Sequence, residues 1–493
     1  MSEAEALVLL LLGVCSRQHQ EIDRLTDERE KLLEVNRELV AERDELRRRV
    51  GLDSTNSSKP PSSDGLKRKR RTARSPERER RKRLGRKAGK QKGAPGHHLA
   101  PVAEPKRVVP LLPAVCEKCG GSLVEDSREE DVVEKRQVLD MPPPTGLEAT
   151  EYQAHSLRCG GCGHVTKAAF PEWVKAPVSY GPRLHAAASY WKVHQHVPYE
   201  RMAEQLHDVH GADVSVGALA AMVARGGERV QPAVEEIKRQ LQGAPVVSVD
   251  ETGGHVKGEL KWVHGAATER LTLLGIDDRR GVVGIKALGV LEELTGIVIH
   301  DAWPAYWNEG FKQVSGHGLC NAHHLRELLA VTDFDGQRWS ERMTNLLLEM
   351  LEKRNAALEA GRTELEPEQV KAFEDAYDRV IREGWRENPR RAGKRQKSKA
   401  ANLLRRLEEH KEEVLRFLHD FGVPFTNNQI ERDLRMTKLN EKISGGWRSM
   451  DGARAFLAIR SYLATARKQG QGVLEVLTAA FEGRPWLPTA GGP

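Results

Sequence analysis

Two short stretches constrain this chain more than any other feature. "VVSVDETGG" (246–254) and "GIVIHDAW" (296–303) are β-branched runs, and each closes on an acid, Asp250 and Asp301. Runs this short and apolar read as buried strands. In the first, Val246, Ser248 and Asp250 share one face and Val247 and Val249 the other; in the second, Ile297, Ile299 and Asp301 fall together. A strand that ends on an acid can be an ordinary turn. Two such strands in one region can instead set two carboxylates side by side, where they repel and are costly to ionise unless a divalent cation lies between them. Glu251 faces away from Asp250 along the strand and is expected to support the pair from behind at most.

Between the two runs, "KWVHGAAT" and "LTLLGID" are strand-like and joined at Glu269–Arg270, as in an antiparallel meander, and "IKALGVLEEL" reads as a short helix. A third acid is offered by "FTNNQIERDLRMTKLN", which begins a helix. With Asn428 as N-cap, Glu431 takes the third helical position and can close a capping box. Arg435 and Lys438 lie on the same helical face as Glu431. An acid flanked by cations along one face suits a metal-bound phosphate better than a solvated surface.

The other half of the chain is organised differently. At 493 residues the sequence is too long for one core, so three or more units are expected. Leu25, Leu32, Leu39 and Leu46 recur every seventh residue, with Ile22 and Val50 on the companion seam, which also carries Asn36. This is the pattern of a self-associating coiled coil. A Ser/Pro-rich linker follows, then the basic run "KRKRRTARSPERERRKRLGRKAGKQK"; a second basic run lies at 389–399, and the net charge is +7. Basic runs of this length point to nucleic acid. Cys116, Cys119, Cys159 and Cys162 form two Cys-x-x-Cys pairs, each followed by glycine, which suits one structural zinc ion in a ribbon with strand-like sequence filling the gap. Residues 198–225 read helix, glycine turn, helix, with Ser215 placed to cap the second; this fits a DNA-reading helix-turn-helix and equally two helices packing on a neighbour. The apolar run at 6–15 is too short to span a bilayer and lacks the basic start of a signal peptide, so a reducing cytoplasm without structural disulfides is expected.

Taken together, "NSSKPPSSD", "GHHL", the double Cys-x-x-Cys, "VDET", "CNAHHLREL", "NNQIERDLRMTK" and "GGWRS…GARAFLAIRSYLATARKQG" make the chain resemble, over nearly its whole length, the insertion sequence 66 family of transposases. These are bacterial DDE enzymes with a ribonuclease-H-like core. The resemblance places the catalytic, metal-binding triad on Asp250, Asp301 and Glu431. It implies two Mg²⁺ ions, hydrolysis at the element's ends and attack of the freed 3′-hydroxyl on target DNA. It also implies a helical insertion between the second and third acids, and accessory proteins encoded by the same element as possible partners. Where the family more often has Gly and Tyr after the second Asp, this chain has Ala302 and Trp303. Its Cys-x-x-His is Cys320 and His323, with Asn321 where Trp is common. His323 is expected to position DNA, and Arg435, Lys438, Lys442 and Arg448 to contact phosphates.

The expected fold class is multidomain α/β. A coiled coil occupies 1–50, a basic linker 51–100, a zinc-ribbon DNA-binding domain 101–178 and a helix-turn-helix-like domain 179–242. The first part of a ribonuclease-H-like mixed sheet occupies 243–324, a helical insertion 325–422, and the last part of the core 423–485. The functional expectation is a nucleoid-associated, homo-oligomeric DNA transposase. Its rivals are a zinc-ribbon regulator without catalysis, which leaves three acids in the second half unexplained, and a nuclease that cuts without joining.

Overall fold

The computed structural model describes residues 24–36, 38–39, 42–43 and 46, then 101–123, 135–141, 144–389 and 398–489. Ile22 and Val50 of the expected seam, the linker and basic run of 51–100, the apolar run at 6–15 and most of the second basic run lie outside the described residues. Residues 24–36 are helical, and Leu25, Leu32, Leu39 and Leu46 are all exposed on the single chain. Among the described residues, no helix is long and apolar enough to cross a membrane.

Strands β1 (Ser156–Arg158) and β2 (Val165–Lys167) pair antiparallel around the second Cys-x-x-Cys. The longer strands expected in the gap do not form among the described residues 135–141 and 144–155, which stay mostly exposed with no partner sheet to pack on. Helices α1 (Pro182–Val193), α2 (Tyr199–His210), α3 (Val216–Arg229) and α4 (Gln231–Gln242) follow. Gly211 ends α2 at φ 59°, a left-handed conformation that suits glycine. The Ser215 hydroxyl accepts the Ala218 N–H and caps α3. Met202, Leu206, Leu219 and Met222 give α2 and α3 a small core of their own.

The central sheet holds β3 (Val246–Val256), β4 (Glu259–Ala267), β5 (Thr272–Asp277), β6 (Ile297–His300) and β7 (Gly316–Leu319) in the order β5-β4-β3-β6-β7. The first three form the expected meander, and β6 and β7 join parallel. Helix α5 (Val282–Leu288) lies between β5 and β6, and α6 (Asn321–Ala330) follows β7. Next come α7 (Arg338–Glu359), α8 (Pro367–Glu387), α9 (Lys399–Glu409) and α10 (Lys411–His419), packed around Trp339, Tyr377 and Phe417. Their core is continuous with Ile299 and Leu319 of the sheet. The chain then returns through α11 (Asn428–Ser444), α12 (Met450–Lys468) and α13 (Val473–Phe481).

The period-2 pattern of β3 decides what each face meets. Val247 and Val249, with Ala266, Leu273 and Val298, pack on α4 and α5. On the opposite face Val263 and Leu274 meet Ile430 and Leu434 of α11 and Phe456, Ile459 and Leu463 of α12. Edge strand β5 is sealed by hydroxyls of α12: Thr272 N–H donates to Thr465 Oγ1 at 3.0 Å and Leu274 N–H to Ser461 Oγ at 2.9 Å. Backbone groups that an edge would leave open to another strand are thereby satisfied. The sheet is a mixed α/β arrangement with antiparallel and parallel halves meeting at β3, which places β3 at the centre.

Candidate active site

The register of the two parallel central strands positions the first two acids. Ser248 pairs with Ile299, so two residues further along each strand Asp250 and Asp301 fall at the same level on the same face. Neighbouring strands lie about 4.8 Å apart. There β6 has just ended while β3 continues, which opens the sheet beside Asp250. Its carboxyl is held well above the usual carboxylate range, first by burial and then by the charges of Glu251, Asp301 and Glu431; the Glu251 N–H, donating to Oδ1 at 2.9 Å, opposes the shift only in part. This is a concentration of negative charge around one buried carboxyl.

Asp301 is aimed by the turn after it. Ala302 adopts φ 70°, a left-handed conformation that glycine takes without strain. The Ala302 N–H donates to His300 Nδ1 at 3.2 Å and the Trp303 N–H to Asp301 Oδ1 at 3.1 Å. Glu251 sits on the opposite face of β3. Its Oε1 accepts from Arg280 Nε at 3.0 Å and Nη2 at 2.7 Å, and its Oε2 from the Tyr306 hydroxyl at 2.5 Å. Burial raises its pKa, a tendency that these two donors oppose. The Arg280 guanidinium lies between the rings of Trp262 and Trp303, 4.9 and 4.5 Å from their centres. Sequence reasoning placed Glu251 behind the pair but missed Tyr306 and Arg280, which no local pattern marks.

Glu431 enters from the first turn of α11. The helix begins at Asn428 with Asn427 as its N-cap residue, so the expected capping box is absent and Glu431 is the fourth helical residue. The Asn427 side chain does not cap the helix; it reaches Val249 O at 3.4 Å and fastens the helix start to β3. Glu431 is therefore released from capping. His323 Nε2 lies 3.0 Å from its Oε1, and Arg326 Nη2 lies 3.5 Å from its Oε2. Burial pushes Glu431 upward, but the hydrogen bond and charge of His323 and the charge of Arg326 outweigh it and hold the carboxyl below its ordinary value.

The Cys-x-x-His segment clasps this helix from the other side. Cys320 Sγ accepts the Asn427 N–H at 3.4 Å, and the Asn321 N–H donates to Phe425 O at 3.1 Å. The set of three side chains whose ligand atoms lie within 4.8 Å of one another, among the described residues, is Cys320, His323 and Glu431. Burial pushes the Cys320 thiol up to about 12, so it is a poor thiolate donor. Asp250 and Asp301 lie outside this set, so the three carboxylates interact electrostatically without closing into one tight cluster.

The other basic residues of interest line α11 and the turn beyond it. Arg435 and Lys442 are exposed, Lys438 Nζ lies 3.3 Å from Glu441 Oε2, and Arg448 is exposed with a long 3.7 Å contact to Glu200. The turn carrying Arg448 is fixed because Trp447 exchanges backbone hydrogen bonds with His255 and Lys257 at the far end of β3.

The two cysteine pairs form matching knuckles. Gly120 donates to Cys116 O and Gly163 to Cys159 O, both at 2.9 Å, with φ near 71° and 72°. Backbone N–H groups turned toward the sulfurs lower the pKa of Cys116 and Cys159. Each knuckle thus has the donor chemistry of half a zinc site, but among the described residues no three of these sulfurs lie within 4.8 Å of one another.

The first acid does not end its strand as expected, since β3 runs on to Val256; a mixed sheet with acids on neighbouring central strands, faced by a glutamate from a returning helix, is consistent with the ribonuclease-H-like enzymes that process DNA. Residues 177–455, more than half of the chain, match the transposase IS66 family, and the chain belongs to that family. Membership implies a transposase role, DNA as substrate and use of a divalent metal. Residues 2–100 match a family of unknown function (DUF6444). No curated protein matches the chain.

Proposed function

We propose that this protein is a DDE-type transposase that cleaves transposon ends and joins the freed 3′-hydroxyl to target DNA, with Asp250, Asp301 and Glu431 as its catalytic residues. The observation that carries this reading is the strand register that sets Asp250 and Asp301 at one level on neighbouring strands, with Glu431 on the returning helix acting on the same buried carboxyl. Carboxylate oxygens are the donors that Mg²⁺ prefers, and two or three suffice because the ion keeps several waters. Asp250, Asp301 and Glu431 would hold these ions. When bound, such ions lower the pKa of the attacking water or hydroxyl and stabilise the leaving oxygen.

The chain's own residues do the rest. β3 fixes Asp250 rigidly, the Ala302 turn aims Asp301, and His323 and Arg326 hold Glu431 ready. Glu251, Arg280 and Tyr306 close the opposite face of β3. Arg435, Lys438, Lys442 and Arg448 neutralise DNA phosphates. His323, expected to position DNA, acts in this reading through Glu431.

The remaining parts complete the reading. Cys116, Cys119, Cys159 and Cys162 hold one structural Zn²⁺ when the two knuckles close together, and the ribbon and the helix pair at 179–242 bind the transposon end. Exposed Leu25, Leu32, Leu39 and Leu46 pair with a second copy. The protein works in the cytoplasm on nucleoid DNA, with accessory proteins from the same element.

An assay with labelled DNA from either side of the gene tests this. With Mg²⁺ the protein yields both cut ends and joined product, and Asp250→Asn abolishes both while retaining DNA binding. Cutting without joining, or an active Asp250→Asn variant, would overturn it.

A further inference from the structure

A second site of unbalanced charge lies away from the carboxylates. His194 caps the C-terminus of α1, and two arginines two turns apart on the same face of α12 approach its ring from both sides. Arg460 Nη1 lies 3.0 Å from Nδ1 and Arg467 Nη1 lies 2.6 Å from Nε2. A neutral imidazole has one N–H and one lone pair, and a protonated one has no lone pair. One of these two guanidinium contacts therefore sets donor against donor, and the arrangement is not satisfied by its own atoms. Burial, Arg460 and Arg467 push His194 down to about 4, so the ring itself is neutral.

The surroundings add more positive charge than negative. Arg460 is 8% exposed, and its Nε has no hydrogen-bond partner among the described residues; the same holds for both ring nitrogens of His196, which is 2% exposed. Lys192 is buried nearby, with its ammonium 4.9 Å from the Tyr199 ring centre. The acids within reach are engaged elsewhere: Asp433, which raises Arg460, accepts from Lys468 and Thr272, and Glu200 faces Arg448. A buried guanidinium such as that of Arg460, with no hydrogen-bonded counter-ion among the described residues, is costly. An anion with two free oxygens, reaching both guanidiniums, would remove the conflict.

We propose that His194, Arg460 and Arg467 form a seat for one phosphate of the DNA backbone, gripped between α1 and the end of α12. Arg467 is exposed at the rim and Arg460 forms the floor. The seat rests on the reading that the chain acts on DNA. It adjoins the glutamate helix through Asp433, whose charge acts on Arg460 and which lies on another face of that helix from Glu431.

The test is fluorescence anisotropy of the full chain on a duplex of mixed sequence, over a series of KCl concentrations without divalent metal. Loss of one phosphate contact reduces the slope of log K against log salt by about 0.9 and weakens binding about tenfold near 0.1 M salt. Arg467→Gln is expected to show both changes, with an unaltered melting temperature. Arg460→Lys keeps a buried charge and is expected to weaken binding less. Inorganic phosphate should compete with DNA for the wild type and not for Arg467→Gln. An unchanged slope in Arg467→Gln and Arg460→Lys, while the wild type binds DNA, overturns the seat and leaves the transposase reading standing. An altered slope in a protein that neither cuts nor joins DNA supports the seat and overturns that reading instead.

Discussion

The imidazole of His323 lies 3.0 Å from Glu431, a residue 108 positions later in the chain. One helix start thereby holds the carboxylate of another, and Arg326 holds its second oxygen. Partners that orient a metal-binding carboxylate typically carry about 10- to 100-fold in affinity or activity. His323→Ala is expected to lower end cleavage by about that factor and to raise the Mg²⁺ concentration needed for half-maximal rate, with little change in DNA affinity. His323→Gln, which keeps a donor near Glu431, should recover part of the loss. A titration of cleavage rate against Mg²⁺ reads both.

Metal-free stability should depend on pH through Asp250 and Glu251. Both carboxyls are raised in the folded protein, so the native state holds their protons more tightly than the unfolded chain. The stability this gives is fully present below the unfolded value of about 4 and is lost as pH rises through the raised native values. Glu431, whose value is lowered, acts oppositely: its contribution is present above about 4 and lost as pH falls through its native value. In melts without metal, Asp250→Asn is expected to raise the melting temperature at about pH 8 and to have less effect at about pH 5. Added Mg²⁺ should stabilise the wild type and not the variant.

Lys468 and Asp433 form a pair, 3.2 Å apart and nearly buried, that ties the glutamate helix to the end of α12. Lys468 also donates to Thr268 O, Leu271 O and Thr272 Oγ1. Asp433→Ala leaves the buried ammonium with neutral acceptors only, and breaking such a pair costs about 3 kcal/mol. Urea denaturation checks this; a loss below about 1 kcal/mol would mean the neutral acceptors alone satisfy Lys468.

Gly265 lies directly opposite Asp250 in β4. A Cβ there would stand 2.6 Å from Ile430 Cδ1 and 3.1 Å from Leu274 Cδ2. Gly265→Ala is expected to cost about 1–3 kcal/mol through overpacking and to depress cleavage further, because Ile430 adjoins Glu431. Comparing urea midpoints with cleavage rates at a temperature where the variant stays folded separates the two effects.

The strands and helices near the site were legible because their signals are local. The β-branched runs at 246–249 and 297–299 give β3 and β6, and the meander, the Ser215 cap and the core positions Phe456, Ile459 and Leu463 follow from pattern alone. The start of α11 was misread because two adjacent asparagines compete for the cap, and a contact to Val249, 178 residues earlier, decides the outcome. The partners of Glu251 and Glu431 were illegible for the same reason: Tyr306, Arg280, His323 and Arg326 reach them only after the sheet assembles. The gap between the cysteine pairs reads as strand-like, but among the described residues strand-like sequence without a packing partner does not hold a strand.

Anomalous diffraction from crystals soaked in Mn²⁺ would test the central claim most directly. The account predicts a peak between the carboxylates of Asp250 and Asp301, with Glu431 within reach of the ions and His323 still beside it, and no peak in Asp250→Asn. A peak on Cys320 and His323, or an unmoved Glu431 with no density beside Asp250, would contradict it.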